Sequence, residues 1–376
     1  MKNGHSKIWG IESEKKRKEE KDMYEYNGLK VSCDWLSFTC NVNTKLVYEF
    51  ILGFGFTPDA FKKMERGAQG YKGMLRHRSC EITVLYDGSE NMGCHMDVKG
   101  SAVSYFVDVF RETLRCQTPF NEDAAYEYED FDDVNNLLPV LFRKILGNGW
   151  FTRLDIAIDD FGCNYFSCEK VYKILKSCNY VSKFGKWEVD IVHNKKDAAI
   201  EGYTVYCGSR KNSDIFLRVY DKQLEQKNKF KEDADLPLWV RWEFELKNER
   251  ADNFAEYIIN KLDFGRAVMA VLNNYLRFIV PDNSNRSRCS SLPKWQRFVG
   301  DVGRLRLTSP KKKKSVERSR DWISRQCLPT IAGLTMAYGG DLTFLTKDLT
   351  VHFERLSAKD KEMFLNYLKG DDEDVD

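Results

Sequence analysis

The sequence contains few histidines and no long apolar run. Five of its 376 residues are histidine, and no His-x-His pair occurs, which argues against a histidine-liganded metal centre. No apolar stretch approaches the roughly 18–20 residues needed to span a bilayer, so we expect no membrane segment. No GxxxxGK[ST] motif and no strand-linked GxGxxG occurs, so nothing indicates nucleotide hydrolysis or a dinucleotide cofactor.

The chain also lacks an excess of charge and a pattern of paired cysteines. Lys and Arg number 59 against 57 Asp and Glu, so net charge alone indicates no polyanionic partner. Eleven cysteines are scattered without a CxxC motif, and the closest pair, Cys163 and Cys168, has no histidine near it at zinc-site spacing. Residues 1–24 are polar and do not resemble a signal peptide. We therefore expect reduced thiols and a cytoplasmic protein.

Three segments have the alternation of amphipathic strands with ionisable side chains on one face. In IFLRVYDK, from Ile215 to Lys222, apolar residues alternate with Phe216, Arg218, Tyr220 and Lys222. TRLDIAIDD and LWVRWEFELK repeat the pattern. Together they predict a sheet face with a tyrosine, carboxylates and cations, the groups required for metal-assisted phosphoryl transfer to a tyrosine. The alternative is a solvated sheet face with ordinary surface charge.

Tyr220 is the candidate nucleophile. A free phenol has a pKa near 10, so it needs neighbouring positive charge, a metal or a base. Arg218 and Lys222, two residues to either side, are predicted to favour the phenolate or to hold a phosphate. The alternative is a half-buried strand tyrosine, one of 18 in the chain, with basic surface neighbours.

The candidate metal ligands are carboxylates. Asp155 and Asp159 would lie roughly 13 Å apart along a strand, and Glu243 and Glu245 roughly 7 Å apart. Asp97, in CHMDVKG, is a further candidate. Such an oxygen-only set suits Mg²⁺ or Mn²⁺. The alternative is that these acids form salt bridges across the strands; its cationic partners would be Arg153, Arg241 and Lys247.

A basic segment follows residue 303. Between Arg304 and Arg325 nine Lys and Arg stand against Glu317 and Asp321, and such a patch predicts contact with nucleic-acid phosphates. The alternative is a solvated loop. The predicted DNA-binding residues are Lys311, Lys312, Lys313, Lys314, Arg318, Arg320 and Arg325.

The order FTRLDIAIDDF, YCGSRKNSDIFLRVYDKQLEQ, LWVRWEFELK resembles the trans-acting replication initiators of rolling-circle plasmids and the related relaxases of integrative and conjugative elements. DWLSFTCN and GCHMDVKG resemble the same family. The resemblance implies an α+β fold: an antiparallel β-sheet with helices packed on one face, then a mostly helical C-terminal region. It assigns the nucleophile to Tyr220, with Arg218 and Lys222 supporting it, and the acidic positions to Asp155, Glu243 and Glu245.

The predicted function is site- and strand-specific nicking and closing of origin DNA through a 5′-phosphotyrosine, with Mg²⁺ or Mn²⁺. Double-stranded origin DNA and single-stranded DNA are the expected substrates, and a host helicase is the expected partner; a homodimer is left open. The alternatives are a non-catalytic origin-binding protein that recruits a helicase and a metal-dependent nuclease without a covalent intermediate. The predicted organisation is a charged tail (1–24), a catalytic domain (25–262), a helical basic DNA-binding region (263–365) and an acidic tail (366–376).

Overall fold

The computed structural model divides the chain into two units, Met1–Thr308 and Ser309–Asp376. The residues that the structure describes are 24–89, 91–117, 131, 133–230, 236–261, 263–307, 316, 319–320, 323–353 and 355–369.

An eleven-stranded antiparallel sheet forms the centre of the first unit. Its strands lie in the order β3-β4-β5-β6-β2-β7-β12-β11-β10-β9, and β1 pairs with β2. A separate two-stranded sheet is formed by β8 and β13. The strands are β1 (Tyr24–Tyr26), β2 (Leu29–Cys40), β3 (Phe61–Lys63), β4 (Gly73–His77), β5 (Ile82–Tyr86), β6 (Cys94–Lys99), β7 (Gly149–Phe161), β8 (Tyr180–Ser182), β9 (Trp187–His193), β10 (Ile200–Cys207), β11 (Ile215–Asp221), β12 (Trp239–Lys247) and β13 (Leu276–Phe278).

Helices connect these strands, and several of them pack on the apolar face of the sheet. Helices α3 and α4 begin where the side chains of Asp133 and Ser167 accept hydrogen bonds from backbone N–H groups in the first turn. The helices of this unit are α1 (Val47–Leu52), α2 (Ala102–Gln117), α3 (Val134–Leu146), α4 (Cys168–Lys176), α5 (Lys222–Phe230), α6 (Glu249–Lys261), α7 (Phe264–Tyr275) and α8 (Pro293–Val299), with short 3₁₀ turns at Pro58–Ala60 and Arg286–Arg288.

The core lies between the apolar sheet face and the helices. In β11 the alternation holds, because Leu217 and Val219 are fully buried in the core while Arg218 lies on the other face. In β12, Trp242 and Phe244 are buried in the same core. The α+β class, the antiparallel sheet and the helices on one face are confirmed.

Two boundaries differ from the prediction. The first unit continues past residue 262, because Phe264 of α7 and Trp295 of α8 are fully buried in the core of the sheet. Strand β11 ends at Asp221, and Lys222 begins α5 instead of ending the strand. The Asp221 side chain accepts a hydrogen bond from the backbone N–H of Leu224, which stabilises this helix start.

The second unit is helical, as predicted for the end of the chain. A π-helical turn, Ile323–Cys327, precedes three helices, α9 (Leu328–Ala337), α10 (Thr343–Phe353) and α11 (Ala358–Lys369). Arg320 is exposed and lies in a helical turn. Of the other predicted DNA-binding residues, Lys311–Lys314 and Arg318 lie outside the described residues, as does the side chain of Arg325. No helix among the described residues is long and apolar enough to cross a membrane.

Replacement of Trp295 by Ala tests whether the segment after residue 262 stabilises the sheet. The Trp295 ring lies 4.6 Å from the Phe278 ring and 6.0 Å from the Trp242 ring, centroid to centroid. We expect the variant to lose about 3–5 kcal/mol of unfolding free energy, measured by urea denaturation. Trp187→Ala, on the edge strand β9, is the control and should cost less. Equal losses in the two variants would contradict the assignment.

Candidate active site on the polar face of the sheet

The register of β7, β12 and β11 brings the predicted site residues onto one face. Residues paired across antiparallel strands point to the same side of a sheet. We call this surface, formed by Tyr220, Arg218, Glu243, Glu245 and Asp155 with their neighbours, the polar face. The cross-strand pairs are Tyr220–Arg241, Arg218–Glu243, Glu243–Ala157 and Glu245–Asp155.

The Tyr220 hydroxyl is held between a carboxylate and an ammonium group. Tyr220 Oη donates a hydrogen bond to Glu243 Oε2 over 3.1 Å, and Lys222 Nζ donates to Tyr220 Oη over 3.4 Å. Arg218 donates to the other oxygen of the same carboxylate, Oε1, over 2.6 Å. One glutamate therefore connects the phenol to an arginine.

The two cations also lie over the Tyr220 ring. The Arg218 guanidinium carbon lies 4.9 Å from the ring centroid, and Lys222 Nζ lies 5.4 Å from it, both within the range of a cation–π contact. The structure thus brings the three predicted catalytic residues together, although Lys222 reaches the tyrosine from a helix and not from the strand.

Burial keeps the Tyr220 hydroxyl protonated. The side chain is 5% exposed; this burial raises the pKa of the phenol, and the negative charge of Glu243 raises it further. Arg241 and Arg218 lower the pKa by less than burial raises it. The resting form is therefore the phenol, and an attack by its oxygen would require a proton acceptor.

Asp155 lies under a guanidinium that it shares with Glu245. Arg153 Nε and Nη2 donate to the two oxygens of Asp155 over 2.8 and 2.5 Å, and Nη2 lies 2.8 Å from Glu245 Oε2. The Arg153 guanidinium also stacks over the Trp35 ring, 3.7 Å from its centroid. Burial raises the pKa of Asp155 to about 7 despite Arg153, and the charges of Glu243 and Glu245 add to this increase.

Glu245 has three cationic partners. Besides Arg153, Lys247 Nζ lies 2.7 Å from Oε1 and Arg210 Nε lies 3.0 Å from Oε2. Burial opposes ionisation, but Lys247 and the two arginines together hold the pKa of Glu245 below its ordinary value. This carboxylate is therefore charged and fully neutralised.

The remaining two acids lie apart from this group. Asp97 is on β6, separated from β7 by β2; it accepts hydrogen bonds from Trp35 Nε1 over 2.6 Å and from Ser37, and it pairs with Lys99 over 2.9 Å. Asp159 binds Arg241 through both oxygens, over 2.7 and 2.8 Å. Asp97 and Asp159 therefore do not join Asp155 in one ligand set.

The ion pairs that were the alternative to metal binding are present. Arg153 pairs with both Asp155 and Glu245, Arg241 pairs with Asp159, and Lys247 pairs with Glu245. Within the described part of the chain, no three Asp, Glu, His or Cys side chains form a group that could hold a metal ion. The carboxylates of Asp155, Glu243 and Glu245 have the right donor chemistry for a hard divalent ion, but a metal would have to displace Arg153.

Two residues that contact the polar face could not be predicted from the alternation in the sequence. Arg210, in the β10–β11 connection, reaches Glu245 from outside any alternating pattern. Asp34 lies at a bulge in β2, between Cys33 and Trp35, and accepts a hydrogen bond from Arg241 Nη1 over 2.8 Å. A bulge breaks the two-residue period, so alternation assigns Asp34 to the wrong face.

The fold places the protein in a class of known structures. It is similar to a rolling circle replication initiator protein from Geobacillus stearothermophilus, with a TM-score of 0.57 and 27% identity over 75% of this chain and 99% of that one. The model of the replication initiation factor family matches residues 149–349, more than half of the chain. The chain belongs to this family.

A curated relative agrees with this assignment. A putative DNA relaxase, NicK, from Bacillus subtilis (strain 168) is 35% identical over 189 residues, which are 49% of this chain and 52% of the relative. The match thus spans about half of that protein's length. Both an initiator and a relaxase are therefore among the relatives, as the motif order predicted.

The raised pKa of Asp155 predicts a pH dependence of stability. A carboxyl whose folded-state pKa lies above its unfolded value stabilises the fold fully at low pH, and this contribution is lost as pH rises through the folded pKa. We therefore expect the unfolding free energy of the wild type minus that of Asp155→Asn to fall between about pH 4 and about pH 7, by an amount on the order of a few kcal/mol.

The measurement is urea denaturation from pH 4 to pH 8 in buffer with a metal chelator. Asp190→Asn, at an exposed position on β9, is the control, and its difference curve should be flat. A wild-type advantage over Asp155→Asn that stays constant or grows with pH would show that Asp155 is not the buried, high-pKa acid.

Proposed function

We propose that this protein is a site- and strand-specific DNA nicking-closing enzyme in which Tyr220 attacks a backbone phosphate. The hydrogen bond from Tyr220 Oη to Glu243 Oε2 carries the proposal. It supplies the proton acceptor that a buried phenol requires, next to two cations that suit a phosphate. The family and both relatives support DNA as the substrate.

The chemical step is an exchange of two phosphoester bonds. The bond from the tyrosine oxygen to phosphorus forms while the bond from phosphorus to the 3′-oxygen breaks. The phenol proton passes to Glu243, and the leaving 3′-oxygen takes a proton from solvent. The products are a 5′-phosphotyrosine and a free 3′-OH, and the reverse reaction closes the strand because the number and type of phosphodiester bonds are conserved.

Arg218 and Lys222 are proposed to transfer their contacts from the tyrosine ring to the phosphate. Both lie within 6 Å of the ring in the resting protein, so the phosphate has two cations at the place where negative charge develops. Positive groups fixed in a partly buried site stabilise such charge strongly. Lys222 begins helix α5, and in the proposed reaction its ammonium group turns from the ring to the phosphate.

A divalent ion is proposed to bind at Asp155 and Glu245. Their strands are directly paired, and one guanidinium, Arg153, now neutralises both. Bound there, Mg²⁺ or Mn²⁺ would polarise the phosphate. Arg153 stacks on Trp35 while it binds both carboxylates, so the ion would have to displace it from all three contacts.

Removal of one hydroxyl tests the nucleophile. With supercoiled origin DNA and Mn²⁺, we expect Tyr220→Phe to abolish both nicking and the covalent protein–DNA adduct, because the attacking oxygen is absent. DNA affinity should stay within a few fold of the wild type. The adduct is detected by denaturing gel electrophoresis and mapped by peptide mass spectrometry.

Tyr206→Phe is the matched control. Tyr206 lies on the same face and is the cross-strand partner of Arg218, so its loss should leave the adduct intact. An adduct that persists in Tyr220→Phe moves the nucleophile elsewhere. Nicking by the wild type without any adduct would favour the metal-dependent nuclease, and binding without nicking would favour the non-catalytic origin-binding protein.

Substitutions of two glutamates on β12 distinguish a role in proton transfer from a role in metal binding. We expect Glu243→Gln to lower the single-turnover nicking rate on the order of 10²–10⁴-fold at saturating Mn²⁺, because the phenol loses its proton acceptor. The Mn²⁺ concentration for half-maximal rate should not change. Glu245→Gln should instead raise that concentration, because it removes a proposed ligand.

The measurement is a Mn²⁺ titration of nicking on a single-stranded oligonucleotide at several pH values. The rate of Glu243→Gln should also gain a steeper dependence on pH in the alkaline range, where hydroxide can take the proton. If Glu243→Gln and Glu245→Gln raise the Mn²⁺ requirement equally, Glu243 is a metal ligand and not the proton acceptor.

A further inference from the structure

A polar cavity lies on the side of the sheet away from Tyr220. It has a volume of about 670 Å³ and is lined, among others, by Lys183, Asp214, Ile215, Arg250, Asn274 and Arg306. Ile215 begins β11 on its apolar face, five residues before Tyr220. Five residues along a strand span roughly 17 Å, and the odd spacing places the two side chains on opposite faces.

Cations outnumber acids around this cavity. Lys183, Arg250 and Arg306 line it, against Asp214, whose carboxylate accepts a hydrogen bond from Asn248 Nδ2 over 3.0 Å. Burial lowers the pKa of Lys183, and the positive charges of Arg306, Arg304 and Arg250 lower it further. Like charges held this close together favour an anion between them.

Asn274 lines the cavity and has an amide donor that is unpaired within the part of the chain that the structure describes. Its side chain is 8% exposed, and its Oδ1 accepts a hydrogen bond from Lys183 Nζ over 2.5 Å. Because an ammonium group can only donate, this contact fixes the amide orientation and leaves Nδ2 as a donor. Nδ2 has no hydrogen-bond partner among the described residues. A buried donor without an acceptor is costly, and rotation of the Asn274 side chain toward an anion in the cavity would pair it.

We propose that this cavity binds a backbone phosphate of duplex DNA flanking the nicked site. The proposal rests on DNA being the substrate of the protein. The site lies on the face opposite Tyr220, so the phosphate it holds belongs to a different DNA segment from the one that is cut. Arg306, near the start of the basic segment, lines this cavity and would contact the phosphate from the first unit.

The test measures duplex affinity as a function of salt in the Tyr220→Phe chain, so that no cleavage occurs. A fluorescent 30-base-pair duplex is titrated between 50 and 300 mM NaCl, with Lys183→Ala/Arg306→Ala as the cavity variant. Loss of one phosphate contact should reduce the slope of log K against log [NaCl] by about 0.9. Asn274→Asp, which adds a negative charge at almost unchanged shape, should reduce binding in the same way.

Lys173→Ala/Lys186→Ala is the matched control. Both lysines are exposed and paired with acids, Glu169 and Glu188, so the control removes the same net charge without touching the cavity. An equal slope change in the cavity and control variants would overturn the proposal. An unchanged slope with a thermal shift by inorganic phosphate, lost in Asn274→Asp, would show a free-anion site and also overturn it.

The outcome of the cavity test can be distinguished from the outcome of the test of the tyrosine chemistry. In the chain that retains Tyr220, the cavity variant should nick a short single-stranded oligonucleotide at the wild-type rate, because that substrate carries no flanking duplex. A failure of nicking in every chain would refute the tyrosine chemistry, and the salt slopes measured with Tyr220→Phe would still decide the cavity.

Discussion

The ion pairs between buried acids and arginines across β7, β12 and β11 determine the arrangement of the polar face. A buried carboxylate is costly to ionise unless a cation and hydrogen bonds compensate it. Here Arg153 joins Asp155 to Glu245, and Arg241 binds Asp159 through two hydrogen bonds. A shift of one residue between β7 and β12 would turn these charges into the core. The ion pairs and the apolar core therefore favour the same register.

This network also determines what Tyr220 can do. The residue is buried among charges, and its hydroxyl is protonated at rest because burial and Glu243 outweigh Arg218 and Arg241. The same glutamate is the hydrogen-bond acceptor of that hydroxyl. In the proposed reaction, this protonated phenol would become a nucleophile only as Glu243 accepts its proton.

Much of this arrangement follows from the sequence, because two-residue alternation is a local property. The alternation alone predicts that Tyr220, Arg218, Glu243, Glu245 and Asp155 lie on the polar faces of their strands. Three features depend on tertiary structure and cannot be predicted from the alternation. The bulge at Asp34 breaks the period, Lys222 belongs to a helix set by an Asp221 cap, and the burial of Trp295 joins residues past 262 to the sheet. The pairing of strands, and therefore the direct pairing of Asp155 with Glu245, can also be identified only from the structure.

The arginines supply the positive charge that a metal ion would otherwise supply to the acidic residues. On sequence grounds, three carboxylates and a tyrosine indicate a metal site, yet Arg153 already supplies positive charge between Asp155 and Glu245. Its guanidinium stacks on Trp35 while it binds the two carboxylates. In the proposed mechanism, metal and arginine would be alternative occupants of one position, and Asp155 and Glu245 would hold the ion where they now bind Arg153. Glu243, which is bound by Arg218 and Tyr220 rather than Arg153, would accept the proton in either case.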